Sequence, residues 1–193
     1  RRLSTQSWES DSQIVTYLCN LEYFGNVTKG VNNIVIPAET PLENFTHFAI
    51  FTRSSVAEAS VAASLMIEDA NASVSSVQLP DEDLDDLELG GSISWVEPEI
   101  FASRVEQYRL YFSDPISALT SVQRGQSSVA LAANTPKENF EALLVYTVSR
   151  LVEQSTPAYA KLSDTYAVAT NLSFPDLDLD FDDLGGNLTW VEP

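Results

Sequence analysis

A 95-residue internal repeat is the feature of this sequence that most constrains its fold. Three separate motifs recur at that one offset, so chance similarity is an inadequate explanation. They are PDEDLD at 80–85 and PDLDLD at 175–180, LGGSISWVEP at 89–98 and LGGNLTWVEP at 184–193, and TPLENF at 40–45 and TPKENF at 135–140. A unit of this length has the size of one small domain, so the 193 residues hold roughly two units.

The repeat is out of phase with the ends of the chain. Residues 72–163 form one complete unit, residues 1–71 carry only later strands, and residues 164–193 carry only the first two strands. Half a sandwich would leave a core face and sheet edges open to water, which favours aggregation. We therefore expect either that the chain continues at both ends or that the missing strands come from another copy by donor-strand exchange. Continuation is the simpler alternative, and in both cases the partner is a further copy of the same repeat, arranged head to tail.

Short β-type runs separated by turn residues predict an all-β fold. No helical periodicity persists for the length of a helix. The predicted strands of the complete unit are 74–79, 92–96, 108–112, 127–132, 142–149 and 157–162. About five to seven such strands per unit indicate a β-sandwich of two sheets, repeated in tandem.

The complete unit resembles a fibronectin type III-like, and therefore Ig-like, β-sandwich module. The resemblance rests on Trp95 in the second strand, Pro98 closing that strand, the tyrosine-rich third strand and the long strand at 142–149. It implies that Trp95 and Trp190 pack in the core and that no disulfide is needed, which suits a chain with the single cysteine Cys19. With its acidic run, the chain is also similar to long extracellular repeat proteins predicted from protist and algal genomes.

The net charge of −18 excludes several classes of function. A surface this acidic repels phosphate backbones and anionic membrane surfaces, so we expect no nucleic-acid partner. No stretch approaches the roughly 18 apolar residues of a membrane helix, so we expect no membrane insertion within this segment. An acidic surface attracts metal cations and basic partners instead.

The acidic segments 81–88 and 176–183 are candidate metal sites. In an extended strand, carboxylates at positions i, i+2 and i+4 lie on one face about 7 Å apart, where a Ca²⁺ ion would relieve their repulsion. The candidate ligands are Asp81, Asp83, Asp85, Asp176, Asp178 and Asp180. The pattern is not an EF-hand, because Asp86 and Ser92 occupy the positions of its glycine and its bidentate glutamate. The alternative is a solvated edge strand whose charges prevent edge-to-edge pairing.

Five N-x-Ser/Thr sequons indicate passage through a glycosylating secretory pathway. Their asparagines are Asn26, Asn44, Asn71, Asn171 and Asn187. Chance alone predicts about two sequons in a chain of this composition. We therefore expect N-linked glycans and an extracellular or cell-surface location, the alternative being that a serine- and threonine-rich β-protein produced the sequons by chance.

No pattern in the sequence predicts catalysis. The lone histidine, His47, is expected on a strand face, and Cys19 is expected to be a small filler in a third strand. A phosphate-binding glycine loop, zinc-ligand spacing and a nucleophile elbow are all missing from the sequence. Trp8 falls in a predicted connection and is a candidate exposed contact residue.

These observations predict a non-enzymatic extracellular protein in which repeated sandwiches form a rod or fibre. The alternative is an adhesion or receptor ectodomain whose modules act as spacers and present a binding face. A third hypothesis, an accessory module of a secreted glycosidase, requires a catalytic domain elsewhere. The first predicts regular polymers, and the second predicts monomeric rods with a discrete ligand.

Overall fold

The computed structural model describes the backbone of residues 2–10, 13–113 and 116–193, and the side chains from residue 21 onwards within those ranges. It divides into two compact units, Arg1–Asn44 and Phe45–Pro193. The first unit holds an antiparallel pair, β1 (Arg2–Ser10) and β2 (Gln13–Leu21), in which Leu3 faces Asn20. All regular elements of the described backbone are strands apart from a single turn of 3-10 helix, so the predicted all-β class is confirmed.

The second unit contains eleven strands, which form four separate sheets in the described structure. In chain order they are β3 (His47–Ile50), β4 (Ala63–Met66), β5 (Ser75–Gln78), β6 (Glu88–Val96), β7 (Val105–Ser113), β8 (Ser117–Gln123), β9 (Ser128–Pro136), β10 (Ala142–Ser149), β11 (Ala158–Lys161), β12 (Thr170–Ser173) and β13 (Thr189–Val191). The 3-10 turn Ala102–Arg104 connects β6 to β7.

Strands β5 to β11 form one complete antiparallel β-sandwich. One sheet has the order β5-β6-β9 and the other has the order β11-β10-β7-β8. The prediction of a two-sheet sandwich for this unit is therefore confirmed. Strand β8, whose residues are mostly exposed and polar, was not predicted, and β6 and β7 extend several residues beyond their predicted bounds.

The core of the sandwich lies between the two sheets. In β7 and β10 buried residues alternate with partly exposed ones, as expected for strands covered on one face. Trp95 of β6 packs edge-on against Tyr108 of β7, with ring centroids 5.4 Å apart, and Phe112 stacks on Phe140 at 5.0 Å. Trp95 therefore occupies the core position that the fibronectin type III-like resemblance implies.

Two strand pairs flank the sandwich in sequence, and their side chains are exposed. Strands β3 and β4 pair only with each other, as do β12 and β13, in the part of the chain that the structure describes. The prediction that Trp190 packs in a core is therefore wrong for this structure, in which Trp190 of β13 is exposed. The physical reason is that no second sheet covers β12 and β13 in the described residues.

Backbone geometry recurs along the chain at the offset of the sequence motifs. Four pairs of non-glycine residues, each 95 residues apart, share a left-handed φ. The pairs are Glu39 and Asn134 (60° and 58°), Glu43 and Glu138 (50° and 46°), Ser76 and Asn171 (50° and 55°), and Leu87 and Asp182 (65° and 69°). A positive φ is uncommon outside glycine, so its recurrence at four positions shows that the backbone adopts one conformation at these equivalent positions.

Candidate functional site

The first acidic segment is a loop and not an edge strand. Residues 82–87 have no ladder partner, and Asp81 makes only an isolated bridge to Gly91. The premise of three carboxylates on one strand face is therefore wrong, because the segment is not in a sheet and the carboxylates of Asp81 and Asp83 each accept a hydrogen bond from the backbone N–H two residues further along. The positions of the candidate ligands Asp81, Asp83 and Asp85 are thus set by the conformation of the loop.

Asp81 uses its carboxylate to hold three parts of the chain together. Its Oδ1 atom accepts hydrogen bonds from the backbone N–H of Asp83 (3.2 Å) and of Gly90 (3.0 Å). Its Oδ2 atom accepts one from Thr165 N–H at 2.8 Å. The carboxylate therefore fastens the loop to the start of β6 and to the segment that follows β11.

Asp83 is buried and ties the loop to β9. Its Oδ2 atom accepts from Asn134 N–H at 2.6 Å, and its Oδ1 atom accepts from Asp85 N–H at 3.2 Å. These two donors, Asn134 first, hold the pKa of the Asp83 carboxyl below its ordinary value of 3.8, although burial acts in the opposite direction. Asp83 therefore stays ionised under neutral conditions and stabilises the loop as an acceptor.

Two carboxylates of the loop and that of Glu88, the first residue of β6, lie close enough together to share a cation. Oxygen atoms of Asp83, Asp85 and Glu88 lie within 4.8 Å of one another. Asp85 is exposed, and Glu88 accepts a hydrogen bond from Asn134 Nδ2 at 2.7 Å. The structure thus brings together two of the predicted ligands, Asp83 and Asp85, with Glu88, which the sequence analysis did not select. Glu88 follows Asp85 by three residues, and the turn at Leu87 brings its carboxylate close to that of Asp85.

The second acidic segment repeats the internal hydrogen bonds of the first. Asp178 N–H and Gly185 N–H donate to Asp176 Oδ1 at 3.0 and 2.9 Å, and Asp180 N–H donates to Asp178 Oδ1 at 3.0 Å. Each of these bonds matches one in the first loop at the 95-residue offset. Asp176 and Asp180 are exposed, and Asp178 is half-buried.

All five sequon asparagines are exposed. At Asn71, the Ser73 hydroxyl donates to Asn71 Oδ1 at 3.0 Å and accepts from Gln154 Nε2 at 2.7 Å. Asn171 and Asn187 lie on or next to the exposed pair β12–β13. Each sequon asparagine is therefore accessible to solvent.

The other residues selected from the sequence lie on three different strands. His47 begins β3, is exposed, and has its Nδ1 atom 2.9 Å from Thr46 Oγ1. Trp8 lies within β1, so its prediction as part of a connection is wrong. Cys19 lies in β2, and the side chains of Trp8 and Cys19 fall outside the described residues.

Two tyrosines with perturbed ionisation were not selected from the sequence. Burial, followed by the hydrogen bond that its hydroxyl donates to Glu97 at 3.0 Å, raises the pKa of Tyr108. Burial and the hydrogen bond to Glu153 at 3.1 Å likewise raise the pKa of Tyr111. The Glu97 carboxylate also accepts a hydrogen bond from Gly125 N–H at 2.7 Å. Both tyrosines therefore link strands to neighbouring turns.

No protein-family model matches the chain, and no curated protein is similar enough to count as a relative. Among solved structures, the chain is similar to the rat CD45 extracellular region, domains d3–d4. The sequence identity is 13%, the likeness covers 82% of this chain and 93% of that chain, and the TM-score is 0.34. At that TM-score the likeness shows neither a shared family nor a shared function. Within the described residues, no helix is both long enough and apolar enough to cross a membrane.

Proposed function

We propose that this chain is a non-enzymatic extracellular structural protein whose sandwiches repeat to form a rod or fibre. The observation that carries the proposal is the complete sandwich at β5–β11, flanked on both sides by segments that repeat some of its backbone conformations and hydrogen bonds at an offset of 95 residues. Repeated modules of this kind contact mainly their neighbours, which builds extended assemblies. Three side chains have a shifted pKa, and each makes a hydrogen bond that links a strand to a neighbouring segment, as a structural role requires. They are Asp83, Tyr108 and Tyr111.

The five sequons support an extracellular location, and the exposure of their asparagines is compatible with glycosylation. N-linked glycosylation requires an accessible asparagine, and every one of the five satisfies that requirement. Mass spectrometry of native material, before and after treatment with a glycosidase, tests this part of the proposal. Glycan-bearing peptides at these positions support it, whereas bare asparagine at all five contradicts it.

Calcium binding at the acidic loop is the second part of the proposal. The carboxylate oxygens of Asp83, Asp85 and Glu88 lie within 4.8 Å, and a hard cation prefers oxygen ligands of this kind. The ion would stiffen the loop that joins β6, β9 and the segment after β11.

Isothermal titration with Ca²⁺ should show binding that Glu88→Gln abolishes. Asp86→Asn is the matched control, because it removes the same charge from an exposed residue outside the cluster, and binding equal to that of the unchanged protein is expected. Absence of heat and of thermal stabilisation at millimolar Ca²⁺ would remove this part.

Electron microscopy of native material, with and without a calcium chelator, tests the proposal as a whole. Regular filaments with a repeat of one or two sandwich lengths support it, and their loosening on chelation supports the role of the acidic loops. Isolated flexible rods whose appearance the chelator does not change would contradict the proposal and favour the second candidate.

The second candidate is an adhesion or receptor spacer that binds a protein or carbohydrate. It is favoured by an open depression lined by Tyr111, Tyr146 and Glu153 on the sheet β11-β10-β7-β8. The two tyrosine rings meet edge-on at 5.5 Å, and Glu153 accepts hydrogen bonds from Arg109 and Tyr111. Aromatic faces beside a carboxylate suit a sugar. Screening immobilised glycans with the unchanged protein and a Tyr146→Ala variant separates this candidate from the first.

A further inference from the structure

Part of the connection between β11 and β12 is bound to the first acidic loop, residues 81–87. The connection consists of residues 162–169, and because the repeat begins again after residue 163, it leads from the complete sandwich into the next unit of the sequence. Its central part, the connecting segment 164–167, makes three hydrogen bonds to the loop. The start of one unit is therefore attached to the unit that precedes it.

Two of these hydrogen bonds are reciprocal, because the loop and the segment each supply one carboxylate. Thr165 N–H donates to Asp81 Oδ2 at 2.8 Å, and Leu87 N–H donates to Asp164 Oδ2 at 3.0 Å. The Oδ1 atom of Asp164 is shielded from solvent, so this side chain lies against the protein and not in water. Hydrogen bonds to an ionised acceptor are stronger than neutral ones. The segment is therefore held at both ends of the loop.

The third hydrogen bond holds the segment close to the start of β12. Ala167 N–H donates to the Leu84 carbonyl oxygen at 3.2 Å, and Ala167 is half-buried. Residues 168 and 169 are all that separate Ala167 from Thr170, the first residue of β12. The loop therefore holds the chain almost as far as the next strand.

The loop has a shape that does not depend on the segment. Asp83 attaches it to β9 through Asn134 N–H, and Asp81 attaches it to Gly90 of β6. The second acidic loop has matching internal hydrogen bonds and a left-handed φ of 69° at Asp182, yet no segment from elsewhere is hydrogen-bonded to it in the part of the chain that the structure describes. A preformed surface loses little conformational freedom when it binds its partner.

We propose that the acidic loop of each sandwich is the binding surface for the segment that begins the next repeat, and that this contact fixes the joint between consecutive units. The occupant of the first acidic loop is the connecting segment 164–167. The inference rests on the proposed structural function, because a rod needs joints that do not bend freely, whereas an unattached linker lets neighbouring domains reorient. It gives the acidic motif a role in which the carboxylates accept backbone N–H groups and no cation is required.

Hydrogen exchange of backbone amides, followed by NMR, tests the contact in the 193-residue chain. The amides of Thr165 and Ala167 should exchange more slowly than those of an unstructured peptide, because both are hydrogen-bonded to the loop. Asp164→Ala removes the acceptor of Leu87 N–H and touches neither of these two bonds. Both amides should nevertheless exchange about tenfold faster in this variant, since the loss of one hydrogen bond to a charged group favours release of the whole segment.

Two controls separate release of the segment from general destabilisation. Asn134 N–H, which donates to Asp83, should keep its protection in Asp164→Ala, because the loop remains attached to β9. Asp69→Ala removes the same side chain 95 residues earlier, where it is exposed, and should leave the exchange of Thr165 unchanged.

Three outcomes would overturn the inference. The first is exchange of Thr165 and Ala167 at unstructured rates in the unchanged chain. The second is equal protection of these amides in the unchanged chain and in Asp164→Ala. The third is simultaneous loss of protection at Asn134, which would show that the segment shapes the loop and does not bind a preformed surface.

Limited proteolysis with chymotrypsin measures the same contact independently. Tyr166 is 64% exposed, but the residues on either side of it are hydrogen-bonded to the loop. Cleavage after Tyr166 should be about tenfold faster in Asp164→Ala, because proteolysis follows the population of the released segment. Cleavage after Tyr159 of β11, which is 71% exposed, is the internal reference and should be equal in both chains. Equal cleavage after Tyr166 would contradict the inference.

The failures of the two proposals are distinguishable. Native filaments built from a chain whose Thr165 and Ala167 amides are unprotected would leave the structural function intact and overturn only the proposed joint. Protected amides in a protein whose native material forms no filaments would overturn the structural function, while the contact between the segment and the loop would stand.

Discussion

Truncation of Ile93 should destabilise the complete sandwich by about 3 kcal/mol. Ile93 is fully buried between the two sheets, and Ile93→Ala removes three carbon atoms from the core. At about 0.8 kcal/mol per buried methylene the lost transfer free energy is about 2.4 kcal/mol, and the cavity left behind adds to it. A module of this size loses roughly 4–8 °C of melting temperature per kcal/mol, so a decrease of about 12–24 °C is expected.

Urea denaturation followed by circular dichroism measures this change, with Val96→Ala as the control. Val96 lies three residues further along β6, and its side chain is exposed, so its truncation should change the free energy of unfolding by no more than about 0.5 kcal/mol. Equal effects of the two truncations, or a loss below about 1 kcal/mol for Ile93→Ala, would show that the core around Ile93 is not packed as described. The slope of the free energy of unfolding against urea concentration should be unchanged in both variants, because neither truncation substantially alters the surface area that unfolding exposes.

Three further predictions concern ionisation and backbone geometry. The pKa of Asp83 is lower in the folded protein than the ordinary 3.8, so its contribution to stability is present above that value and is lost as the pH falls through the folded pKa. Asp83→Asn should therefore destabilise the protein at pH 7 and converge with the unchanged protein in acid unfolding curves, whereas a constant difference at all pH values would contradict the role of its charge. Tyr108 has a raised pKa, so stability should fall as the pH rises above 10.0, where the unfolded chain ionises, and Tyr108→Phe should weaken that dependence in denaturation measured from pH 8 to 11. Gly91→Ala should destabilise the sandwich by more than about 1 kcal/mol in thermal unfolding, because Gly91 has a φ of 129° and a Cβ atom would lie 2.8 Å from the Pro80 carbonyl oxygen. An unaltered melting temperature for Gly91→Ala would show that the turn between Pro80 and Gly91 is shaped differently.

Strand β10 shows how a buried face makes a strand predictable from the sequence. Residues 142–149 were predicted with the bounds that β10 has, because their apolar content marks a strand packed on the core. Strand β8 was missed because it lies at the edge of its sheet and most of its residues are exposed. A strand held mainly by backbone hydrogen bonds to one neighbour leaves little pattern in its side chains.

The contacts of the acidic loop could not be predicted from the sequence. The sequence shows many carboxylates at 81–88, but it does not show which groups they bind. Whether Asp83 accepts from Asn134 or binds a cation depends on a backbone N–H that lies 51 residues further along the chain. Glu88 was missed for the same reason, since only the turn at Leu87 brings it near Asp85.

The tryptophan motif separates what the sequence by itself determined from what only the tertiary structure decided. The motifs that contain Trp95 and Trp190 are nearly identical, and their alternation determined that both tryptophans lie on strands. Their burial is opposite, because Trp95 is covered by the sheet that contains β7 and β10, whereas Trp190 has no such sheet over it in the described residues. Local sequence determines which face of a strand is apolar, but the burial of that face depends on distant segments that must fold against it.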